Sequence, residues 1–231
     1  VSATLLLALL AVAPATPPPE PPPLVSGNGQ NWSVVGARTT GQGGNLIEGG
    51  IGWPGIHLSY LRGLTPKFDI GVRATFNFGY EGQVTNALPG VKGQLLLHYK
   101  VYDSNTLSLA LTFEPGPFDY FAPNGCFFDA FGRRVCNTNA LPGFTFPFGL
   151  HLGIAASSAV NIGVTFDVPV WLNFGVVNGA QLPVLFGAGL EYFIRSNLLL
   201  YGTVKMGPTV YTNGASAVFT FDAKFGVGVR F

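Results

Sequence analysis

From about residue 30 onward, apolar side chains recur at every second position, and this period restricts the chain to β-structure. In NIGVTFDVPVWLNF (161–174), Ile162, Val164, Phe166, Val168, Val170, Leu172 and Phe174 share one face. Asn161, Thr165, Asp167 and Asn173 share the other. Residues 68–80 divide likewise, with Ile70, Val72, Phe76 and Phe78 opposed to Asp69, Arg73, Thr75 and Asn77. In 218–231, Phe219, Phe221, Phe225, Val227, Val229 and Phe231 oppose Thr220, Asp222, Lys224 and Arg230. A helix would space its apolar residues three and four apart; strict alternation belongs to strands whose two faces meet different surroundings. Weaker alternation marks 91–102, 107–114, 144–155, 182–194 and 198–211. Segments 32–40 and 45–62 complete about ten strands, the second made irregular by Gly49, Gly50, Gly52, Pro54 and Gly55.

The chain is 48% hydrophobic and only 10% charged, against the usual quarter for a soluble domain. Its longest apolar run, LLLALLAVA (5–13), is far short of the roughly 20 residues a membrane-crossing helix needs. A chain of this kind crosses a membrane only as a closed barrel, because open sheet edges go unsatisfied in hydrocarbon. The net charge of +1 gives no field for nucleic acid, so that partner class is set aside. Residues 1–15 read as a partial signal peptide with an A-x-A site at Ala13-Pro14-Ala15. The starting Met and the positive n-region are missing, which implies that the sequence begins late. Residues 16–30, rich in proline, read as a periplasmic spacer, and 31–231 as the barrel.

Short turns at 64–67, 103–105, 157–159 and 195–197 alternate with longer links at 81–90, 115–143, 175–181 and 212–217. That is the layout of a membrane barrel, and an even count of ten, with eight as the alternative, fits it. The polar faces carry charges of both signs. Asp69, Glu114, Asp167, Glu191 and Asp222 stand against Arg73, Lys92, Lys100, Lys205, Lys224 and Arg230. A confined interior needs such pairing, so these residues are assigned to a charge network in the lumen and the apolar faces to lipid. Tyr80, Tyr102, Tyr192, Tyr211 and Trp171 near strand ends read as an aromatic girdle.

The last strand, KFGVGVRF, carries Lys224, Gly226, Val229 and Phe231 at the spacing polar, any, Gly, two any, hydrophobic, any, aromatic. This resembles the C-terminal assembly signal of bacterial outer-membrane proteins, and the whole of 31–231 resembles a small barrel of the OmpA/OmpX-like type. The resemblance implies an all-β, antiparallel up-and-down transmembrane barrel in the outer membrane of a Gram-negative bacterium. Its partners would be outer-membrane lipid, lipopolysaccharide and the barrel-assembly machinery.

Little in the sequence points to chemistry. His57 and Ser59 share a strand face, and the pair resembles the active site of lipid A deacylase barrels, in which His activates Ser. The match is two residues long and no acidic partner follows at a comparable spacing, so no catalytic residues are assigned. His98 and His151 read as lumen hydrogen-bonding groups, with no metal and no cofactor expected. Protease-type ten-stranded barrels resemble this chain in strand count alone. The expectation is a barrel that is not an enzyme.

The long link 114–143 draws the functional assignment. It holds Phe118, Tyr120, Phe127, Phe128, Phe131, Arg133 and Arg134, together with Cys126 and Cys136. In an exported protein the cysteines read as a loop-closing disulfide rather than a metal site, two structural thiols being the alternative. So many aromatics should not hang in water, which leaves a lid over the barrel mouth, a lipid contact or a surface partner. The expected function is structural or interaction-type with a largely closed lumen. A small porin or transporter of small solutes or hydrophobic compounds is the runner-up.

Overall fold

The structure, a computed structural model, describes residues 31–82, 88–128, 134–174, 179–212 and 217–231, with side chains left aside at 122–128 and 134–139. The alternating segments form twelve strand segments. They are β1 (Asn45–Trp53), β2 (Gly55–Thr65), β3 (Phe68–Asn77), β4 (Gly90–Asp103), β5 (Leu107–Phe113) and β6 (Gly116–Phe128). These are followed by β7 (Arg134–Ala155), β8 (Val160–Asn173), β9 (Gly179–Pro183), β10 (Leu185–Arg195), β11 (Leu198–Tyr211) and β12 (Val218–Arg230). Among the described residues no helix is long and apolar enough to cross a membrane.

Every pairing is antiparallel. β5 and β6 keep a single register against β7, Phe113 facing Phe148 and Gly116 facing Thr145, so they are one stave. It is interrupted at Glu114-Pro115, where proline lacks the ladder N–H. β9 and β10 likewise form one stave, interrupted after Pro183. Ten staves result. β12 pairs with β1 from Leu46↔Arg230 to Trp53↔Ala223 and closes the ring, which leaves the barrel wall itself without a free edge.

The barrel is inverted relative to a soluble one. Leu58, Val72, Phe186 and Phe225 on the outer face are each about 60% exposed, while Ser59, Asp69 and Glu191 on the inner face are no more than 2% exposed. The fold is therefore a closed ten-stranded antiparallel barrel of the outer-membrane type, and the eight-strand alternative is set aside.

Two strand assignments change. Residues 32–40 form no strand, and 45–62 is not one strand but most of two, β1 and β2, which turn at Pro54. Pro54 cannot donate to a ladder, and Gly52 runs so close to β12 that a Cβ there would lie 1.9 Å from the Ala223 carbonyl oxygen. The count of ten thus survives with a different tenth stave. The described part of the link 114–143 is also no loop. It belongs to the hairpin of β6 and β7, paired from Gly116↔Thr145 to Phe128↔Arg134 with a register shift between Pro123 and Cys126. Its Gly, Pro and Asn content reads as loop, yet Phe118 and Tyr120 point inward and Phe121 outward. Tyr80, expected in an outer girdle, is buried inside the barrel mouth, and so is Trp171, which alternation with Val170 and Leu172 already sets on the inner face.

Candidate functional site: a charged chamber closed at both ends

Segment 31–44 crosses the lumen at the short-turn end and forms a floor. Trp32 is fully buried against Val35, Leu46, Phe193, Leu199 and Tyr201. Its ring meets Phe193 edge-on at 5.3 Å, and its Nε1–H donates to the Ser196 carbonyl at 2.8 Å. The Glu191 carboxylate accepts from the Val34 and Val35 amides at 2.5 and 2.6 Å, from Ser33 Oγ at 2.8 Å and from Asn161 Nδ2 at 3.2 Å. Arg38 reaches the Asp103 carboxylate at 3.2 Å and donates to the Ser104 and Asn105 carbonyls. Thr39 Oγ1 donates to the Pro66 carbonyl, and Thr40 donates to Asp69 through both its amide and its hydroxyl. Arg230 Nε–H donates to the Thr40 carbonyl at 2.9 Å. The floor is thus fastened to three of the short turns and to the wall.

Glycines in the wall make the room. A Cβ at Gly163 or Gly189 would stand 2.7 or 2.5 Å from Val35 Cγ1. Glu191, Asp69 and Arg230, expected among the paired lumen charges, hold this segment by its backbone and its hydroxyls instead.

At the opposite end a single 3₁₀ turn, Tyr80–Gly82, folds inward. Glu81 accepts from Tyr120 Oη–H at 2.5 Å and from Lys92 Nζ at 2.9 Å. Tyr120 Oη in turn accepts from Asn77 Nδ2 and from the Glu81 amide. Tyr80 Oη–H donates to Asn173 Oδ1 at 2.7 Å and accepts from Gln181 Nε2 at 3.0 Å. Tyr80, Phe118, Tyr120 and Trp171 pack into one aromatic ceiling. Phe118 and Tyr120 therefore belong to the interior and not to a surface loop. Phe127, Phe128 and Arg134 lie on the hairpin with side chains outside the described residues, as do Phe131 and Arg133 altogether. The cysteine side chains are outside them too; the register alone sets Cys126 opposite Cys136.

Between floor and ceiling lies a chamber of about 220 Å³. Arg73 bridges two carboxylates, Glu48 at 3.0 Å and Glu114 at 2.7 Å, and also donates from Nε to Ser59 Oγ at 2.9 Å. Asp167 takes Lys205 at 2.7 Å and His151 at 3.2 Å. Lys224 pairs with Asp222 at 2.7 Å, and Lys100 pairs with Asp103 at 2.8 Å near the short turns. His98 Nδ1 stands 3.8 Å from Asp69. Glu48 and Glu81 are absent from the sequence-based set. Glu48 shares its face with Leu46, Gly50 and Gly52, so alternation does not mark it, and Glu81 falls in a link.

His57 lines this chamber, and Ser59 is buried on the same inner face. His57 Nε2 meets Tyr201 Oη at 3.0 Å and stands 3.7 Å from Glu48. The Ser59 hydroxyl donates its proton to Glu48 at 2.8 Å, not to the imidazole. An acidic neighbour is therefore present, contrary to the sequence expectation, but the serine is not set beside a histidine base.

No protein-family model and no curated relative matches the chain. Solved structures do. The outer membrane protease OmpT from Escherichia coli matches over 81% of this chain and 93% of its own, at 11% identity and a TM-score of 0.46. The Ralstonia pickettii toluene transporter TbuX matches over 81% of this chain and 73% of its own, at 9% identity and a TM-score of 0.36. The likeness is one of fold. The expectation that the chain is not an enzyme is withdrawn: one of these matches is a protease, and at such identity a shared fold decides neither for nor against catalysis.

Proposed function

We propose that this barrel resides in a bacterial outer membrane and is a gated passage for small polar solutes, held here in its closed state. The supporting observation is how the lumen is closed. Packed side chains do not fill it; two short backbone segments, 31–44 and 80–82, span its ends and leave a charged chamber between them. A barrel of this size has an interior wide enough for side chains and one small ligand. An interior needed for stability alone would be packed to the density of a core. The wall ladder does not run through 31–44, so that segment moves without opening the ring.

The test is conductance in planar bilayers of the full chain and of the full-chain variant Trp32→Ala, which loses the floor's anchor. Small or absent steps in the wild type and frequent steps in the variant are expected. Equal, negligible conductance in both, with the folded band retained on unboiled gels, overturns the reading.

A second reading rests on the β6–β7 hairpin, which continues through eight more paired positions beyond Phe118↔Gly143 over ten residues of β6, about 33 Å at 3.3 Å per residue. It suits contact with a surface partner. Directly opposed Cα atoms on antiparallel strands stand within disulfide reach, so we propose a Cys126–Cys136 bridge there. Removing residues 122–139 tests this contact, since that leaves the ceiling residues Phe118 and Tyr120 in place. Unchanged binding to lipopolysaccharide vesicles and to cells would rule it out.

A further inference from the structure

We infer that the chamber is a binding site for small organic cations of the ammonium class. The inference rests on the passage reading and supplies its substrate chemistry. Three carboxylates lining the chamber have their own cation: Glu81 has Lys92, Asp167 has Lys205 and Asp222 has Lys224. Glu48 and Glu114 share the single guanidinium of Arg73. Asp69 has no lysine or arginine within 4 Å among the described residues, and its oxygens are held by Thr40. Beyond that distance, Lys100 is engaged by Asp103, and Arg230, whose Nε–H donates to the uncharged Thr40 carbonyl, stands outside the chamber lining. Counting lysines and arginines against carboxylates, this lining holds two more negative charges than positive ones.

A second observation is independent of charge. Four of the lining side chains are nine-tenths buried or more and carry a polar atom with no partner: Asn77 Oδ1, Thr145 Oγ1, Thr165 Oγ1 and His57 Nδ1. Buried polar atoms are satisfied in nearly every native structure, so these await water or a guest. Asn77 Oδ1 is an acceptor only, because the amide nitrogen of that side chain already donates to Tyr120. The hydroxyl oxygens accept as well. Acceptors plus excess carboxylate suit an ammonium group, which carries three donors and no acceptor. They do not suit an anion, which would bring a third uncompensated charge into a confined space. A volume of about 220 Å³ holds roughly seven waters at 30 Å³ each, which is room for a short aliphatic amine or diamine.

Putrescine and succinate are matched probes, similar in length and opposite in charge. The full chain, refolded in detergent with each probe present, should bind putrescine about tenfold more tightly than succinate by calorimetry, the difference expected of one charge-assisted contact. Glu114→Gln should reduce that preference, and Asp222→Asn should do so to a similar degree. Trp32→Ala, with its loosened floor, controls for entry. Equal affinity for the two probes, or binding of neither by both proteins, overturns the site. Flux into vesicles carrying Trp32→Ala separates the two proposals. Putrescine binding without flux through that variant keeps the site and removes the passage. Flux that is equal for both probes keeps the passage and removes the site.

Discussion

The carboxylate of Glu191, in the middle of β10, lies 2.6 Å from the amide nitrogen of Val35, a residue of the segment that precedes the first strand. The contact ties the barrel wall to the floor, and Glu191 spends both oxygens on it. Replacing Glu191 with Ala leaves the Val34 and Val35 amides and Ser33 without their acceptor. Losses of that kind cost about 1–3 kcal/mol per unsatisfied group, enough to free a short segment. Arg38, 7% exposed in the floor, is the reporter. Trypsin should leave Arg38 intact in the folded wild type and cut there in Glu191→Ala while the barrel band persists.

The floor also depends on missing side chains. Gly163 and Gly189 flank Val35 closely enough that a Cβ at either would overlap its Cγ1. Gly163→Ala should therefore lower the unfolding midpoint, at a cost of about 1–3 kcal/mol for overpacking. Val35→Ala in the same chain removes the obstructing methyl and should recover most of the loss. A double-mutant cycle read by urea unfolding in detergent checks this, and simple additivity of the two single effects would refute the contact.

How far the sequence reaches is visible in these residues. Alternation in 161–174 and 218–231 places the apolar face outward, Trp171 on the inner face being the large exception, because period two follows from strand geometry and lipid leaves no reason to break it. The floor is illegible for the same reason. NWSVVGARTT (31–40) has the small, β-branched composition of a strand, and only long-range partners such as Glu191, over 150 residues away, decide otherwise. Phe118 and Tyr120 look like loop residues because Gly116, Pro115 and Pro117 surround them. Those breakers interrupt a stave without ending it, since β4 and β7 hold the register on both sides. The Glu–Arg–Glu bridge was half visible: Arg73 and Glu114 lie on clean polar faces, whereas Glu48 sits among glycines.

At the ceiling, Tyr120 Oη links Glu81 and Asn77. Tyr120→Phe keeps the ring packing against Tyr80 and Phe118 but removes the hydroxyl, leaving Asn77 Nδ2 and the Glu81 amide without their acceptor. The expected loss is about 1–3 kcal/mol. Because the ring stays, the defect should be local. Hydrogen exchange should rise at residues 80–82 and not in β1 or β12; uniform acceleration would mean that the ceiling is part of the global unfolding unit.

Arg73 offers the sharpest test of the interior electrostatics. Its guanidinium is the only cation within 4 Å of either Glu48 or Glu114 among the described residues, apart from the imidazole of His57. Arg73→Met removes it and leaves two carboxylates facing each other across a confined space. Breaking a fully buried pair costs about 3–5 kcal/mol, but the Arg73 side chain is 24% exposed to the lumen, so about 2–3 kcal/mol is expected. If repulsion between the orphaned carboxylates is the cause, adding Glu48→Gln and Glu114→Gln to Arg73→Met should restore the urea midpoint to near the wild-type value. If instead the guanidinium matters for its packing and its bond to Ser59, the triple variant should stay as unstable as Arg73→Met alone.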